Sequence, residues 1–397
     1  MTDTDVAISG GGPVGLCLAL LLARKGVAVR VFEASPELSE DLRASTFHPP
    51  TLDMLDSIGI ADTLVDQGLV CPHWQVRMHP SGNRAVFDLS VLNDHTGHPY
   101  RLQCEQWKLS RALLAALSQE ANAQVHFGTE IDTVTQDETG VTLVMTGPEG
   151  RIEHRARLGV GADGARSAVR TAMGLSLEGE TFPETTILAT TTFPFEDHME
   201  GLSNVSYCWK EGGNFSLLKV PGRWRVSIYP REDLSVEQQL EPDSIQQSLQ
   251  EIVARDAPYE VRESRAYRIH QRIAPTYVKG RLALAGDAAH LNSPAGGMGL
   301  NGGLHDAFEL SETLAAILGG ASLDLLDRYD RRRRPIAADQ ILAQAGQNRA
   351  RMRTKDPQRR QEIMDDLQAI TRDPARLKAH LLRSSMIDGL RQAEAIT

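Results

Sequence analysis

Three glycines near the start of the chain have the spacing of a dinucleotide-binding turn. Gly10, Gly12 and Gly15 follow the order G-x-G-x-x-G, and an acidic residue, Glu33, comes near the ~20-residue spacing of that motif. The first glycine permits a tight turn, the second lets the backbone approach a pyrophosphate, and the third lets a helix pack closely on a strand. Glu33 would accept hydrogen bonds from a ribose. The pattern predicts dinucleotide binding without distinguishing FAD from NAD.

The elements around this turn are those that the motif requires. Asp5–Ser9 is an apolar run that predicts a buried strand, Leu16–Arg24 predicts a helix, and Val27–Phe32 predicts a second strand. The backbone N–H groups at the start of the helix would receive the pyrophosphate. A βαβ unit that merely contains a glycine turn is the alternative. The presence of both strands and the terminal acid favours nucleotide binding.

Two later segments indicate which dinucleotide is bound. One contains Asp163-Gly164 and runs on to Arg170, and the other contains Gly286-Asp287 followed by a glycine-rich run over 296–303. In this order and spacing, the three motifs resemble those of the single-component flavoprotein aromatic hydroxylases typified by para-hydroxybenzoate hydroxylase. The resemblance covers roughly residues 3–340. It implies that the bound dinucleotide is FAD.

The fold expected from this resemblance is α/β, with a Rossmann-like FAD-binding domain, an inserted β-rich substrate domain and a C-terminal helical segment. Short alternating runs in 71–100 and 186–230 agree with an inserted sheet. We expect the FAD-binding domain to comprise 1–70, 100–180 and 270–340. The substrate domain would comprise 71–99 and 181–269, and the helical tail 341–397. A single helix is expected over 237–254.

Asp287 lies at the end of a buried apolar run, where α/β sheets bind ligands. Its carboxylate could accept a hydrogen bond from the ribityl chain, although an ordinary helix N-cap is the alternative. The glycine-rich run would bring backbone close to the flavin. The resemblance further places Arg43, Gln106 and Asp163 near the phosphates or ribityl chain. The whole expected cofactor set is Gly10, Gly12, Pro13, Val14, Gly15, Glu33, Ala34, Arg43, Gln106, Asp163, Gly286, Asp287, Gly297, Gly299, Leu300 and Asn301.

Pro294 matches the proline that lies beside the flavin in this family, where a rigid apolar neighbour keeps water from the oxygen site. We expect Pro294 and His290 to be the catalytic positions. The substrate pocket is expected to include polar and aromatic residues from segments that face the flavin. They are His48, Tyr207, Trp209, Phe215, Tyr229 and Asn292.

The activity implied by the resemblance is hydroxylation of an electron-rich aromatic or N-heteroaromatic small molecule, as in aromatic catabolism. NADH or NADPH would bind transiently, because the sequence has no second complete unit of strand, G-x-G-x-x-G turn, helix, strand and terminal acid. O₂ would react with non-covalently bound FAD to give a C4a-hydroperoxide. Two alternatives stay open. The chain could hydroxylate a quinone precursor or polyketide ring on the same scaffold, or it could be a flavin-binding redox-regulatory protein.

Composition excludes several other classes. A net charge of −10 argues against nucleic-acid binding. The sequence contains no run of 18 apolar residues, so no membrane-spanning helix is expected. The four cysteines form no C-x-x-C pair, which excludes the disulfide-reductase flavoproteins and suits a reducing cytoplasm. No metal site is expected, and we expect a monomer or homodimer. The basic run 331–334 is interpreted as a solvated, ion-paired helix face, with Pro335 marking a boundary or a kink.

Overall fold

The chain forms two large β-sheets with a shared cavity, one small sheet, and a helical tail. A computed structural model describes residues 4–40, 44–229, 231, 234–293 and 296–397. In chain order the strands are β1 (Thr4–Ser9), β2 (Val29–Phe32), β3 (Thr46–Phe47), β4 (Leu69–Cys71), β5 (His73–Met78), β6 (Arg84–Asp88), β7 (Arg101–Gln103), β8 (Ala123–His126), β9 (Glu130–Gln136), β10 (Val141–Gly147), β11 (Gly150–Gly161), β12 (Glu178–Thr191), β13 (Val205–Lys210), β14 (Gly213–Val220), β15 (Arg223–Ile228), β16 (Val261–Ile273), β17 (Val278–Lys279), β18 (Leu282–Leu284) and β19 (His290–Leu291).

The helices pack on the first sheet, on the second sheet and across both. They are α1 (Pro13–Arg24), α2 (Pro49–Ser57), α3 (Ala61–Gln67), α4 (Gln106–Leu117), α5 (Ala168–Ala172), α6 (Val236–Leu240), α7 (Pro242–Gln250), α8 (Met298–Leu318), α9 (Leu325–Ile336), α10 (Ala343–Arg353), α11 (Pro357–Arg372), α12 (Pro374–Ser384) and α13 (Ile387–Glu394).

The first sheet contains the nucleotide-binding βαβ unit. Its parallel strands run in the order β18-β11-β1-β2-β8, with β17 antiparallel at one edge and the β9-β10 hairpin joined to β11. The central strands are apolar on both faces, as the strands of a covered parallel sheet must be. Helix α1 is buried along nearly its whole length between this sheet, α4 and α8. This order places the ends of β1, β11 and β18 side by side.

The second sheet has the order β19-β16-β12-β15-β14-β13-β5-β6. It is antiparallel throughout except where β13 lies parallel to β5. One face packs on α6 and α7 through an aromatic cluster that includes Phe195, Trp224 and Tyr259. Strand β19 pairs with β16, and the chain then returns to the first sheet's helices. A short sheet of order β3-β7-β4 lies separately from both.

The tail helices cover part of the second sheet. Trp209 shares an apolar cluster with Met364 and Leu381, which come from α11 and α12. Arg360 donates to the carbonyl of Lys210 at 2.6 Å, and Asn214 donates to the carbonyl of Met352 at 2.9 Å. The tail therefore packs as part of the second sheet's wall and is not an independent appendage.

The α/β fold class with a Rossmann-like region, a further sheet and C-terminal helices is confirmed. One local prediction was wrong. The single helix expected over 237–254 is divided into α6 and α7, because Pro242 starts a new helix and cannot continue the previous one. Pro335 was expected to mark a boundary or a kink, and α9 ends one residue later at Ile336, where a π-helical turn, Ala337–Leu342, begins.

Candidate active site

A cavity of about 920 Å³ is lined from both large sheets and from the tail. Its size lies at the upper end of the ~300–1,000 Å³ usual for small-molecule sites, so it has room for more than a small metabolite. Residues of all three glycine-containing motifs line it. From the expected cofactor set, the cavity is lined by Gly10, Gly12, Pro13, Val14, Glu33, Ala34, Gln106, Asp163, Gly286, Asp287, Gly297, Gly299 and Leu300.

The three glycines of the first turn have different surroundings. Gly10 has φ +103°, and a Cβ there would lie 2.4 Å from the carbonyl oxygen of Ala162. A Cβ on Gly15 would lie 2.0 Å from the carbonyl oxygen of Gly10. At Gly12 a Cβ would meet no atom within 4 Å, although this residue lines the cavity. Gly10 and Gly15 are therefore required for the turn's own packing, whereas Gly12 leaves space for a ligand.

Glu33 organises the turn as well as facing the cavity. Its Oε2 accepts a hydrogen bond of 2.7 Å from the Gly11 N–H, and its Oε1 accepts one of 2.9 Å from the Ser35 N–H. The carboxylate at the end of β2 is thus tied to the turn at the end of β1. Helix α1 begins at this turn without a side-chain cap, so its first N–H groups are available for an anion.

The second motif connects the other two. Asp163 Oδ2 accepts from the Ser9 hydroxyl at 2.9 Å and from the Ala168 N–H at 2.9 Å. Arg170 donates to the carbonyl of Ala288, beside Asp287, at 2.9 Å. Its Nη2 also donates to the carbonyl of Ala165 at 2.7 Å. The second motif therefore contributes to the cavity mainly by holding β1 and the Gly286 turn in place.

A buried ionic cluster supports the third motif. The Asp306 carboxylate is fully buried, and its Oδ1 accepts from Arg333 Nε at 2.7 Å. Its Oδ2 accepts from the Gly286 N–H at 3.0 Å and lies 2.8 Å from His290 Nε2. Burial would raise the pKa of Asp306, but the charges of Arg333 and His290 lower it to about 2. The carboxylate is therefore ionised at neutral pH and fixes the turn that carries Asp287.

This cluster corrects two sequence-based predictions. His290 is fully buried beside Asp306 and does not line the cavity, so it positions the Gly286 turn and is not placed to touch a substrate. The basic run 331–334 is not wholly a solvated face, because Arg333 is 1% exposed. Its neighbours Arg332 and Arg334 do form the expected ion pairs, with Glu309 and Asp330.

The glycine-rich run starts α8 at the cavity wall. Gly297 has φ +69°, and α8 begins there without a side-chain cap. Asn301 was expected to bind the cofactor, but its buried side chain is used within the protein: Oδ1 accepts from the His48 N–H, and Nδ2 donates to the carbonyls of Thr46 and Gly297. The His48 ring lies behind the turn, with its Nε2 2.8 Å from the Gly296 carbonyl oxygen. Neither side chain lines the cavity.

Four of the expected substrate residues do line the cavity, and they are Tyr207, Phe215, Tyr229 and Asn292. Trp209 does not, because the tail helices cover it in the apolar cluster with Met364. Sequence reasoning missed other lining residues because they come from distant elements. They include Trp74, Arg101, Arg225, Tyr267, Arg351, Met352, His380 and Ser384. The predicted positions Arg43 and Pro294 lie outside the described residues.

These residues fit a flavin dinucleotide. Two helices, α1 and α8, begin at the cavity without side-chain caps. Gly12 leaves an open cradle at the first of them. The carboxylates of Glu33 and Asp287 line the wall near these turns and could accept from ribose and ribityl hydroxyls. Within the described part of the chain, no cluster of His, Cys, Asp or Glu could hold a metal ion. No helix of that part has the length and apolarity to cross a membrane.

A βαβ unit that opens on a glycine turn and a second sheet together line one cavity, which is the architecture that the sequence resemblance implies. Residues 3–344 match the family described as FAD binding domain. The chain is 34% identical to para-nitrophenol 4-monooxygenase of Pseudomonas sp. strain WBC-3, over 99% of this chain and 98% of that protein. It is 31% identical to 6-hydroxy-3-succinoylpyridine 3-monooxygenase HspB of Pseudomonas putida strain S16, over 94% and 95% of the two chains.

The fold agrees with these sequence matches. The crystal structure of p-nitrophenol 4-monooxygenase PnpA from Pseudomonas putida DLL-E4 superposes with a TM-score of 0.91 at 31% identity, covering 98% of each chain. The chain therefore belongs to the FAD-binding domain family of flavin-dependent aromatic monooxygenases.

Substitution of Gly12 by alanine tests the cradle. The new Cβ would meet no protein atom and the backbone has φ −72°, so the protein should fold normally. FAD should bind at least about tenfold more weakly, because the methyl group would occupy space that the ligand needs. The measurement is the FAD dissociation constant of the deflavinated protein. Gly213→Ala, also in open space, is the control and should bind FAD as the wild type does. Unchanged affinity in Gly12→Ala would contradict the cradle.

Two buried histidines behind the cavity stay neutral at physiological pH. Burial, with the charge of Arg101, lowers the pKa of His48 to about 3. Burial, with the charge of Arg333, lowers the pKa of His305 to about 3. His305 Nε2 lies 2.9 Å from the Thr51 hydroxyl. An unfolded chain would protonate both rings near pH ~6.5, so acid favours the unfolded state.

The free energy of unfolding should therefore fall as the pH drops below ~6.5, by up to ~1.4 kcal/mol per pH unit for each such histidine. His305→Gln removes one imidazole that gains a proton on unfolding. The free energy of unfolding of this variant should therefore fall less steeply between pH 6.5 and 5. Urea unfolding at several pH values measures the slope. The exposed His73→Gln variant should keep the wild-type slope. A wild-type slope in His305→Gln would refute the assignment.

Proposed function

We propose that the chain binds one FAD non-covalently in this cavity and hydroxylates a single-ring phenol or hydroxylated N-heteroaromatic compound, with NADH or NADPH as reductant and O₂ as oxidant. The observation that carries the proposal is the shared cavity, because one space is lined by all three nucleotide-binding motifs and by aromatic residues of the second sheet. The similarity to para-nitrophenol 4-monooxygenase over nearly the full length of both chains supports a small aromatic ring.

Bound FAD would take a hydride from the nicotinamide and activate O₂, so that one oxygen atom enters the ring and the other leaves as water. The protein's contributions are binding, orientation and exclusion of water. Glu33 and Asp287 would hold the hydroxyl groups of the cofactor. The uncapped start of α8 would stabilise negative charge that develops on the ring system near it.

The second sheet would hold the substrate. Tyr207, Phe215 and Tyr229 line the cavity from β13, β14 and the end of β15. All three rings offer flat apolar surface, and the two tyrosines add hydroxyl groups that can orient a phenol. Leu188 and Leu218 add apolar lining from the same sheet. Such a wall would reduce the access of water to the site where oxygen reacts.

Turnover with a panel of phenols and hydroxypyridines tests this proposal. We expect the FAD-loaded protein to oxidise NADH or NADPH slowly alone and at least about tenfold faster with a suitable ring, because substrate binding completes the site. Chromatography should detect one hydroxylated product per NAD(P)H consumed, apart from any hydrogen peroxide released. Firm FAD binding with no ring-dependent oxidation across the panel would favour the flavin-binding regulatory alternative.

A further inference from the structure

The walls of the cavity differ in charge. The carboxylates that line it are Glu33, Glu130, Asp163 and Asp287, and all of them lie on the side of the first sheet. The opposite wall is formed by the second sheet, the short sheet and the tail. The described lining residues of that wall include the arginines Arg101, Arg225 and Arg351 but no carboxylate. The end of the cavity away from the nucleotide-binding turns is therefore cationic.

Arg101 is the most unusual of these residues. It is 3% exposed, and its Nε and Nη1 have no hydrogen-bond partner within the described residues. Its guanidinium lies 4.9 Å from the centre of the Trp74 ring and interacts electrostatically with the Tyr207 hydroxyl. A buried guanidinium that has no carboxylate partner is costly unless a ligand supplies the missing acceptors.

Arg351, from the tail, lines the same cavity as Arg101 and Tyr207. Its Nη2 donates to Asn348 Oδ1 at 2.6 Å, and both Arg351 and Arg101 interact electrostatically with Tyr207. His380, from α12, lines the cavity beside them. Burial, with the charges of Arg351, Arg383 and Arg101, lowers the pKa of His380 to about 4, so it does not add a positive charge near pH 7. Two guanidinium groups thus lie around one tyrosine, and neither is paired with a carboxylate in the described structure.

We propose that Arg101, Tyr207 and Arg351 form a subsite for a planar two-oxygen substituent of the aromatic substrate, either a carboxylate or a nitro group. The planar fork of N–H donors on a guanidinium matches such a pair of oxygens. Arg351 lies beyond residue 344, where the match to the FAD-binding domain ends, so the tail contributes to specificity. The inference rests on the proposed function, since it names the substrate class for the same cavity.

Binding to the FAD-loaded enzyme tests the subsite without requiring turnover. The probes are phenol, and phenols that carry a methyl, nitro or carboxylate group at position 3 or 4, each titrated while the flavin absorbance is followed. We expect the best nitro- or carboxylate-bearing ring to bind at least about tenfold more tightly than its methyl counterpart. Whether the nitro or the carboxylate series binds more tightly identifies which of the two substituents the subsite takes.

Arg101→Met should weaken binding of the preferred ring about 10–100-fold and change methylphenol binding less than about threefold. Arg101→Lys should recover part of the loss, because it restores the charge without the fork. Arg351→Met provides a second test if Arg101→Met does not retain FAD. Arg262→Gln is the matched control, because Arg262 is an exposed arginine of the second sheet that is paired with Glu260. This variant should bind every probe as the wild type does.

Two results would overturn the subsite. The first is that the wild-type protein binds methyl-bearing rings as tightly as nitro- or carboxylate-bearing rings. The second is that the preference for nitro- or carboxylate-bearing rings survives in folded, FAD-loaded Arg101→Met and Arg351→Met. In either case, ring-dependent hydroxylation could still occur and the proposed function would stand. Conversely, an Arg101-dependent preference without oxidation of any ring would contradict the proposed function and leave the subsite intact.

Discussion

The geometry of the cavity depends on one buried carboxylate. Asp306 lies on α8 and bonds simultaneously to Arg333 of α9, His290 of β19 and the backbone N–H of Gly286. A buried charge is tolerated only when its partners replace the hydrogen bonds of water, so these elements must keep fixed relative positions. Because β19 pairs with the second sheet, the same cluster connects the turn that carries Asp287 to the wall that would hold the substrate.

The division of labour between the two sheets follows from their topology. In the parallel sheet, β1, β11 and β18 end side by side, so their loops reach one edge and can surround a single extended cofactor. The mostly antiparallel sheet has no such edge but offers a broad aromatic face. Charge follows a similar division among the described lining residues, with the four carboxylates beside the nucleotide-binding turns and three of the four arginines, all but Arg166, on the opposite wall. One cavity can therefore hold an extended cofactor and a small ring in distinct environments.

The sequence predicted the features that depend on local conformation. The glycine turn between β1 and α1 and the strand that ends in Glu33 were expected because glycines and an acid at this spacing are typical of a dinucleotide-binding unit. Features that depend on distant packing were missed. Trp209 is covered by tail helices, and Arg333 is paired with a carboxylate 27 residues away. The periodicity of a helical segment does not show which sheet the helix will cover. The contribution of His380 to the cavity was therefore not predicted.

A cavity that holds a flavin and an aromatic ring together should transfer one atom of O₂ to that ring. The most direct measurement is mass spectrometry of the product formed under ¹⁸O₂ in ordinary water, with the reverse labelling as the comparison. The new hydroxyl group should carry ¹⁸O from the gas and none from labelled water. A hydroxyl group derived from water, or NAD(P)H oxidation that yields only labelled hydrogen peroxide with every ring tested, would contradict it.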